Sequence, residues 1–327
     1  MTEVNRRNVF ESYSSGIYSG NFFPSTYAIE LTNACNIQCI MCPNCSIKDN
    51  SSFMTDDIFY RIIQSVREYA DNILLYGIGE PLLHKHFIKY LKYARANTNA
   101  KLWLSTNGLL LTKDIGKDLI NSGLDNLLIS VDAFKEETYS SIRRGGDFNL
   151  LKNNIHDFIQ LMQQVSKSDN RKPKTYVQLI QMKQNMDEAD AFKKYWSNYD
   201  VNINIINYQQ WGSKLEYIID NDIQKKKCEP NQRKACSDLW NKMVFDCNGN
   251  VVLCGYDFQR NNLLGNIMDK SIREIWHGAV LNNVRKKHIN KEYSSISICS
   301  NCKDWTIIPP RYNEIETVEK MILGKPA

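Results

Sequence analysis

No apolar run in this chain is long enough to cross a bilayer, and its start, M-T-E-V-N-R-R-N, lacks the apolar stretch of a secretory signal. Both absences predict a cytoplasmic protein without a membrane partner. Charge of one sign is also scarce, since 41 Lys and Arg against 36 Asp and Glu leave +5. The only dense basic runs, Lys225–Lys227 and Arg285–His288, read as solvated faces, so no nucleic-acid partner is indicated. Heptads, short internal repeats and low-complexity tracts are missing too, which excludes a coiled coil or a solenoid.

What the chain does have is ten cysteines among 327 residues. In a reducing compartment these read as metal ligands or catalytic thiols rather than disulfides. Cys35, Cys39 and Cys42 stand in E-L-T-N-A-C-N-I-Q-C-I-M-C-P, a CxxxCxxC triplet directly after a short apolar run. Three thiolates can hold three corners of a cubane iron–sulfur cluster and leave its fourth iron open to a ligand. A second set, Cys236, Cys254, Cys299 and Cys302, comes from a short hairpin and a later loop. Four thiolates saturate either a cluster or a zinc ion, so this second site is closed. Cys45, Cys228 and Cys247 remain outside both sets.

Between residues 27 and 206 short β-branched or apolar runs alternate with amphipathic stretches. Strands are expected at Tyr27–Leu31, Ile73–Tyr76, Leu102–Ser105, Leu127–Val131, Tyr176–Ile180 and Ile203–Ile206. Thr55 is expected to cap the helix that follows the first strand, and Gly123 to end a later one. Six β-then-α units imply a parallel sheet with right-handed crossovers, hence a partial or complete α/β barrel. Catalytic groups of such barrels lie on loops after the C-terminal strand ends, where the cysteine triplet falls. The expected organisation is an N-terminal extension (1–26), the barrel (27–206), a polar bridge (207–235), a small cysteine domain (236–310) and a tail (311–327). Strands at Met243–Asp246 and Asn250–Leu253 and one helix over Ser271–Lys287 belong to the cysteine domain.

The triplet and its setting resemble the radical S-adenosylmethionine (SAM) superfamily, with Met41 where an aromatic residue is usual. The resemblance implies an open (βα)₆ barrel, one [4Fe–4S] cluster on Cys35, Cys39 and Cys42, and SAM chelated to the open iron. Y-G-I-G-E-P, Tyr76 to Pro81, resembles the GGEP motif that holds the methionine amino group, which assigns Gly77, Gly79 and Glu80 to SAM. Ser105 and Asn107 after the third strand, and Ser130 and Asp132 after the fourth, fall where family members bind the ribose and the methionine carboxylate. Arg143, or its neighbour Arg144, is expected to pair with that carboxylate. Gln178 and Gln181 are candidates for the adenine pocket, whereas His84 and His86 read as helix-start or surface residues.

The second cysteine set resembles the twitch domain, the shortened form of SPASM that carries one auxiliary [4Fe–4S] cluster. Similarity to twitch-bearing aminocyclitol dehydrogenases implies that a sugar or aminocyclitol alcohol loses a hydrogen atom to a 5′-deoxyadenosyl radical. The auxiliary cluster then takes the remaining electron, and flavodoxin or ferredoxin supplies the first cluster. Asp257 is the candidate base for the hydroxyl proton. Peptide maturation remains open, as does epimerisation with Cys247 as hydrogen-atom donor. A zinc-binding interaction protein is the alternative of another class.

Overall fold

The computed structural model describes residues 2–46, 51–165, 172–208 and 233–303. Helix α1 (Thr2–Ser14) leads to strand β1 (Thr26–Ile29), and the cysteine loop beyond it contains the two-residue strand β2 (Gln38–Cys39). Then follow α2 (Asp56–Val66), β3 (Asn72–Leu74), α3 (Phe87–Asn97), β4 (Lys101–Thr106), α4 (Lys113–Asn121) and β5 (Asn126–Ser130). The next elements are α5 (Glu136–Ile142), β6 (Arg143–Arg144), α6 (Phe148–Gln164), β7 (Lys174–Gln181), α7 (Ala189–Trp196) and β8 (Asn202–Asn207). The C-terminal part contains α8 (Asp238–Asn241), β9 (Lys242–Phe245), β10 (Asn250–Val252), β11 (Leu263–Asn266), α9 (Ile272–Trp276), α10 (Ala279–Ile289) and α11 (Ser297–Ser300).

The six expected strands pair in parallel in the order β1-β3-β4-β5-β7-β8. The sheet stays open, because β8 is its outer strand and does not return to β1. The fold is therefore mixed α/β around a parallel sheet, as expected of a partial barrel. The strand interiors explain the arrangement: Ile73, Leu102, Leu104, Leu127, Ile129, Val177 and Leu179 are all buried, as parallel strands covered by helices require.

The C-terminal hairpin extends this sheet. Strand β9 pairs in parallel with β1, with Tyr27 opposite Met243 and Ile29 opposite Phe245, while β10 and β11 add antiparallel beyond it. The edge of the barrel at β1 is thereby covered, which removes a row of unpaired backbone groups.

Three local expectations change. Thr55 occupies the N-cap of α2 with extended backbone, but its side chain makes no capping bond. The single helix expected over Ser271–Lys287 is broken into α9 and α10 at Gly278, where a side-chain Cβ would lie 2.8 Å from the Glu274 carbonyl oxygen. Arg285 and His288 are buried rather than solvated. The Arg285 guanidinium donates to the carbonyls of Leu239 (2.8 Å) and Trp276 (2.8 Å) and to Asn282 Oδ1 (2.9 Å), and burial lowers its pKa to about 9. Gly123 ends α4 at φ +79°, as expected. Lys225–Lys227, Cys228, most of the bridge and the tail lie outside the described residues.

The N-terminal extension holds the two halves of the chain together. Tyr13 donates to the Ala235 carbonyl (2.9 Å), Trp240 Nε1 donates to the Ile17 carbonyl (2.7 Å), and Arg6 pairs with both oxygens of Asp71 (2.5 and 2.7 Å). Phe245 lies on β9 at the seam with β1 and is 0% exposed. Phe245→Ala should cost about 3–5 kcal/mol through lost burial and the cavity left behind. Urea unfolding of the metal-free protein measures it, and a loss below about 1 kcal/mol would show that the seam does not carry stability.

Candidate functional site

Cys35, Cys39 and Cys42 line one cavity at the C-terminal ends of the parallel strands. It is small, about 180 Å³, beside others of about 670 and 750 Å³, but neither larger one has a thiol in its wall. Chemistry rather than size singles it out. The cysteine loop is clamped onto the α5–β6 corner, because Cys39 of β2 pairs with Arg143 of β6 and Ile40 N–H donates to the Ile142 carbonyl (2.9 Å). Met41, Gly77, Gly79, Glu80, Ser105, Asn107, Ser130 and Arg143 share the wall. Sequence reasoning did not assign Ile37, Tyr76, Thr106, Ile180 and Tyr208, which line it too.

The buried Arg143 places Nη1 3.8 Å from Cys39 Sγ. Asp132 holds that guanidinium: Oδ2 accepts from Nε (2.9 Å) and Nη2 (2.5 Å), while Oδ1 accepts from Ile180 N–H (2.7 Å). Asp132, expected at the SAM site, is 0% exposed and absent from the cavity wall, and it supports Arg143 there. Its backbone sits at φ +61°, and Asn185 Nδ2 donates to its carbonyl (2.8 Å). Arg144 is exposed and stays a surface charge.

Glu80 is 2% exposed and accepts from Thr106 Oγ1 (2.8 Å), Leu82 N–H (3.1 Å) and Asn107 N–H (2.7 Å). Burial raises its pKa against these three donors. These bonds tie the loop after β3 to the end of β4, and the same carboxylate lines the cavity wall beside the three thiols. The two glycines also serve chain packing. A Cβ on Gly79 would lie 2.3 Å from the Thr32 carbonyl oxygen, and one on Gly77 would lie 2.6 Å from the Glu30 side chain.

Glu30, not foreseen from the sequence, links this loop to the C-terminal part. It accepts from Ile78 N–H (3.0 Å) and, through both oxygens, from Arg260 Nη2 (2.7 and 2.8 Å). Burial raises its pKa although Arg260 acts the other way.

The second set gathers around the start of α8, the loop after β10 and α11. Burial, and next the neighbouring acid or thiol, raises the pKa values of Cys236 and Cys254 and takes Cys299 up to about 12. Such thiols keep their protons until a bound cation displaces them. His288 bridges two members, accepting from Cys236 N–H (3.2 Å) at Nδ1 and standing 3.4 Å from Cys299 Sγ at Nε2. Among the described residues no three Cys, His, Asp or Glu side chains close around a point fit for one metal ion.

Asp257, the candidate base, lies outside the cavity wall. It is 0% exposed, and its oxygens accept from Asn261 N–H (3.3 Å), Asn262 N–H (2.7 Å) and Asn262 Nδ2 (3.1 Å), which shapes the loop after Cys254. Cys247 is 3% exposed, has its thiol pushed up to about 12 by burial first, and is absent from the cavity wall. Gln178 accepts from Asn204 Nδ2 (2.8 Å), and neither it nor Gln181 lines the cavity. His84 Nε2 contacts the Met54 carbonyl (2.9 Å) and His86 pairs with Asp56 (2.9 Å), so both are structural. The Cys45 side chain lies outside the described residues.

The radical SAM superfamily pattern matches residues 29–170, and the SPASM iron–sulfur cluster-binding domain matches 236–303. The chain carries a radical SAM domain followed by a SPASM domain. These domains imply SAM and two [4Fe–4S] clusters, and the thiol donors suit them, with three lining the cavity and four half-buried in the C-terminal part.

Curated relatives include GTP 3′,8-cyclase of Lactiplantibacillus plantarum, 31% identical over 196 residues, covering 58% of this chain and 55% of that protein. The match thus spans about half the length of that cyclase. The tungsten-containing aldehyde ferredoxin oxidoreductase cofactor-modifying protein of Pyrococcus furiosus is 26% identical over 83% of this chain and 86% of its own. Among solved structures, BtrN in complex with AdoMet and 2-DOIA aligns with TM-score 0.61 and 19% identity, over 87% of this chain and 94% of that one. Streptococcus suis SuiB bound to its precursor peptide SuiA aligns with TM-score 0.64 and 15% identity, over 92% and 74%. At such identities these structures establish a shared fold.

Glu80→Ala should leave three buried donors without an acceptor and cost about 3 kcal/mol or more, since each lost bond to a charged group is worth about 1.5–3 kcal/mol. Denaturant unfolding of metal-free protein reads it. Unchanged stability would show that these three bonds carry no fold energy, and equilibrium SAM binding by the reconstituted variant reads separately whether the same carboxylate also meets the methionine ammonium.

Proposed function

We propose that the protein dehydrogenates a secondary alcohol of a sugar or aminocyclitol, with SAM bound at the three-thiol cavity and an electron-accepting cluster at the four-thiol site. When bound, these cofactors would supply a 5′-deoxyadenosyl radical that takes the carbinol hydrogen and an acceptor for the electron left behind, the hydroxyl proton passing to solvent water. The observation that supports the reading is a three-thiol cavity at the strand ends together with a second set of four cysteines in the iron–sulfur cluster-binding domain that follows. Cys35, Cys39 and Cys42 would hold the first cluster, and Cys236, Cys254, Cys299 and Cys302 the second. Arg143, oriented by Asp132, offers its guanidinium to the methionine carboxylate. Ser105, Asn107 and Ser130 offer hydroxyl and amide groups to the ribose, and Met41 a thioether to the adenine.

Two features favour oxidation over epimerisation. The second thiol set provides an acceptor site, and Cys247 is buried away from the cavity with a thiol that holds its hydrogen in the core. Peptide maturation is the second reading, favoured by the fold-level likeness to SuiB in complex with a peptide. GTP cyclisation is less favoured, because the cyclase match leaves nearly half of that protein's length uncovered.

Anaerobic reconstitution should give brown protein with about eight irons per chain. Replacing Cys35, Cys39 and Cys42 with alanine should halve the iron and abolish SAM cleavage; a triple variant that keeps all its iron would sink the ligand assignment. Incubation with SAM, reductant, 2-deoxy-scyllo-inosamine and a panel of amino sugars should give a product two mass units lighter, one SAM being consumed per turnover. In deuterium oxide, a product of unchanged mass number apart from one carbon-bound deuterium would establish epimerisation instead. Turnover of a peptide alone would establish maturation.

A further inference from the structure

The reading of Cys236, Cys254, Cys299 and Cys302 as cluster ligands leaves open what sets the potential of that cluster, and His288 answers it. This imidazole lies in the last turn of α10 and is 1% exposed, against the expectation that its basic run faces solvent. The Cys236 backbone N–H stands 3.2 Å from Nδ1 and can only donate, so Nδ1 must be the accepting nitrogen. A neutral ring with its lone pair at Nδ1 carries its proton at Nε2. That nitrogen faces Cys299 Sγ at 3.4 Å. The edge of Tyr293, with ring centroids 5.0 Å apart, holds the ring in place. Arg233 lies over the ring of that tyrosine at 4.0 Å and donates to the Cys299 carbonyl (3.0 Å).

An N–H directed at a cluster thiolate stabilises the reduced form, which carries more negative charge, over the oxidised one. We infer that His288 is a positioning residue of the auxiliary site: its Nε2–H···Sγ hydrogen bond to Cys299 raises the reduction potential of the cluster bound there and fits it to accept the substrate's electron. The inference rests on the cluster reading above and adds a tuning group from outside the cysteine sets.

The test uses the full-length Cys35→Ala/Cys39→Ala/Cys42→Ala protein, in which only the auxiliary cluster remains, with potentials read by EPR-monitored redox titration at fixed pH. His288→Leu removes the donor and should lower the one-electron reduction equilibrium about tenfold, a shift of about 59 mV to more negative potential. Iron content should stay unchanged. His288→Gln, whose amide N–H can reach the same sulfur, should recover most of the shift. An unmoved potential in an iron-replete His288→Leu protein overturns the inference alone, whereas a parent protein that binds no iron overturns the cluster reading together with it. A second measurement needs no change at His288: the reduced parent, labelled with ¹⁵N-histidine, should show weak hyperfine coupling to one imidazole nitrogen. Absence of coupling, or coupling as strong as a direct iron–nitrogen bond gives, overturns it even where His288→Leu fails to hold its cluster.

Discussion

The parallel pairing of β1 with β9 is the constraint on which the rest of the molecule depends. An open barrel has two edges, and the strand that leads into the cysteine triplet forms one of them. Covering it with Lys242–Phe245 satisfies the backbone of β1 and continues past the strand, where Glu30 N–H donates to the Phe245 carbonyl (3.0 Å). The same pairing fixes where β10 and the Cys254 loop can go. One row of backbone hydrogen bonds therefore sets both thiol sites relative to a single sheet.

Above that seam, buried charges act on the chain before they act on any ligand. Glu80, Asp132, Asp257 and Glu30 are all buried carboxylates; Glu80, Asp132 and Glu30 accept donors from other loops, whereas Asp257 closes its own. A buried carboxylate without partners would be costly, so the loops that supply the donors are held in register by it. This arrangement preorganises the cavity: Arg143 is aimed by Asp132, and the glycine loop is held between Glu30 and Glu80. The Glu30–Arg260 pair also connects the SAM-domain loop to the SPASM-domain loop in a single contact.

Much of the fold was legible in the sequence, because parallel strands buried on both faces show as apolar runs and the helices between them as stripes. The cysteine spacing marked both thiol sets for the same local reason. Other features were hidden because they depend on partners far along the chain. Polar α1 gave little apolar signal, yet Tyr13 reaches Ala235. Arg285 and His288 looked like a solvated run, and only the packing of α10 against α8 and the N-terminal segment shows them buried. Gly278 lay within a periodic stretch whose break is set by the close approach of Glu274 and Ile275 carbonyls.

By itself the sequence determined which residues could carry chemistry: the thiol triplet, the quartet and the polar residues after the strand ends, because spacing along the chain and strand phase are local properties. The tertiary structure decided which of them reach the cavity. Asp132 and Asp257 turn inward to loops while Glu80, Arg143, Ser105, Asn107 and Ser130 reach the cavity wall. The physical reason is that a carboxylate finds its donors by proximity in space, and Ile180 N–H lies 48 positions from Asp132 in sequence while Arg260 lies 230 from Glu30. No pattern along the chain encodes such a pairing until the sheet has closed the distance.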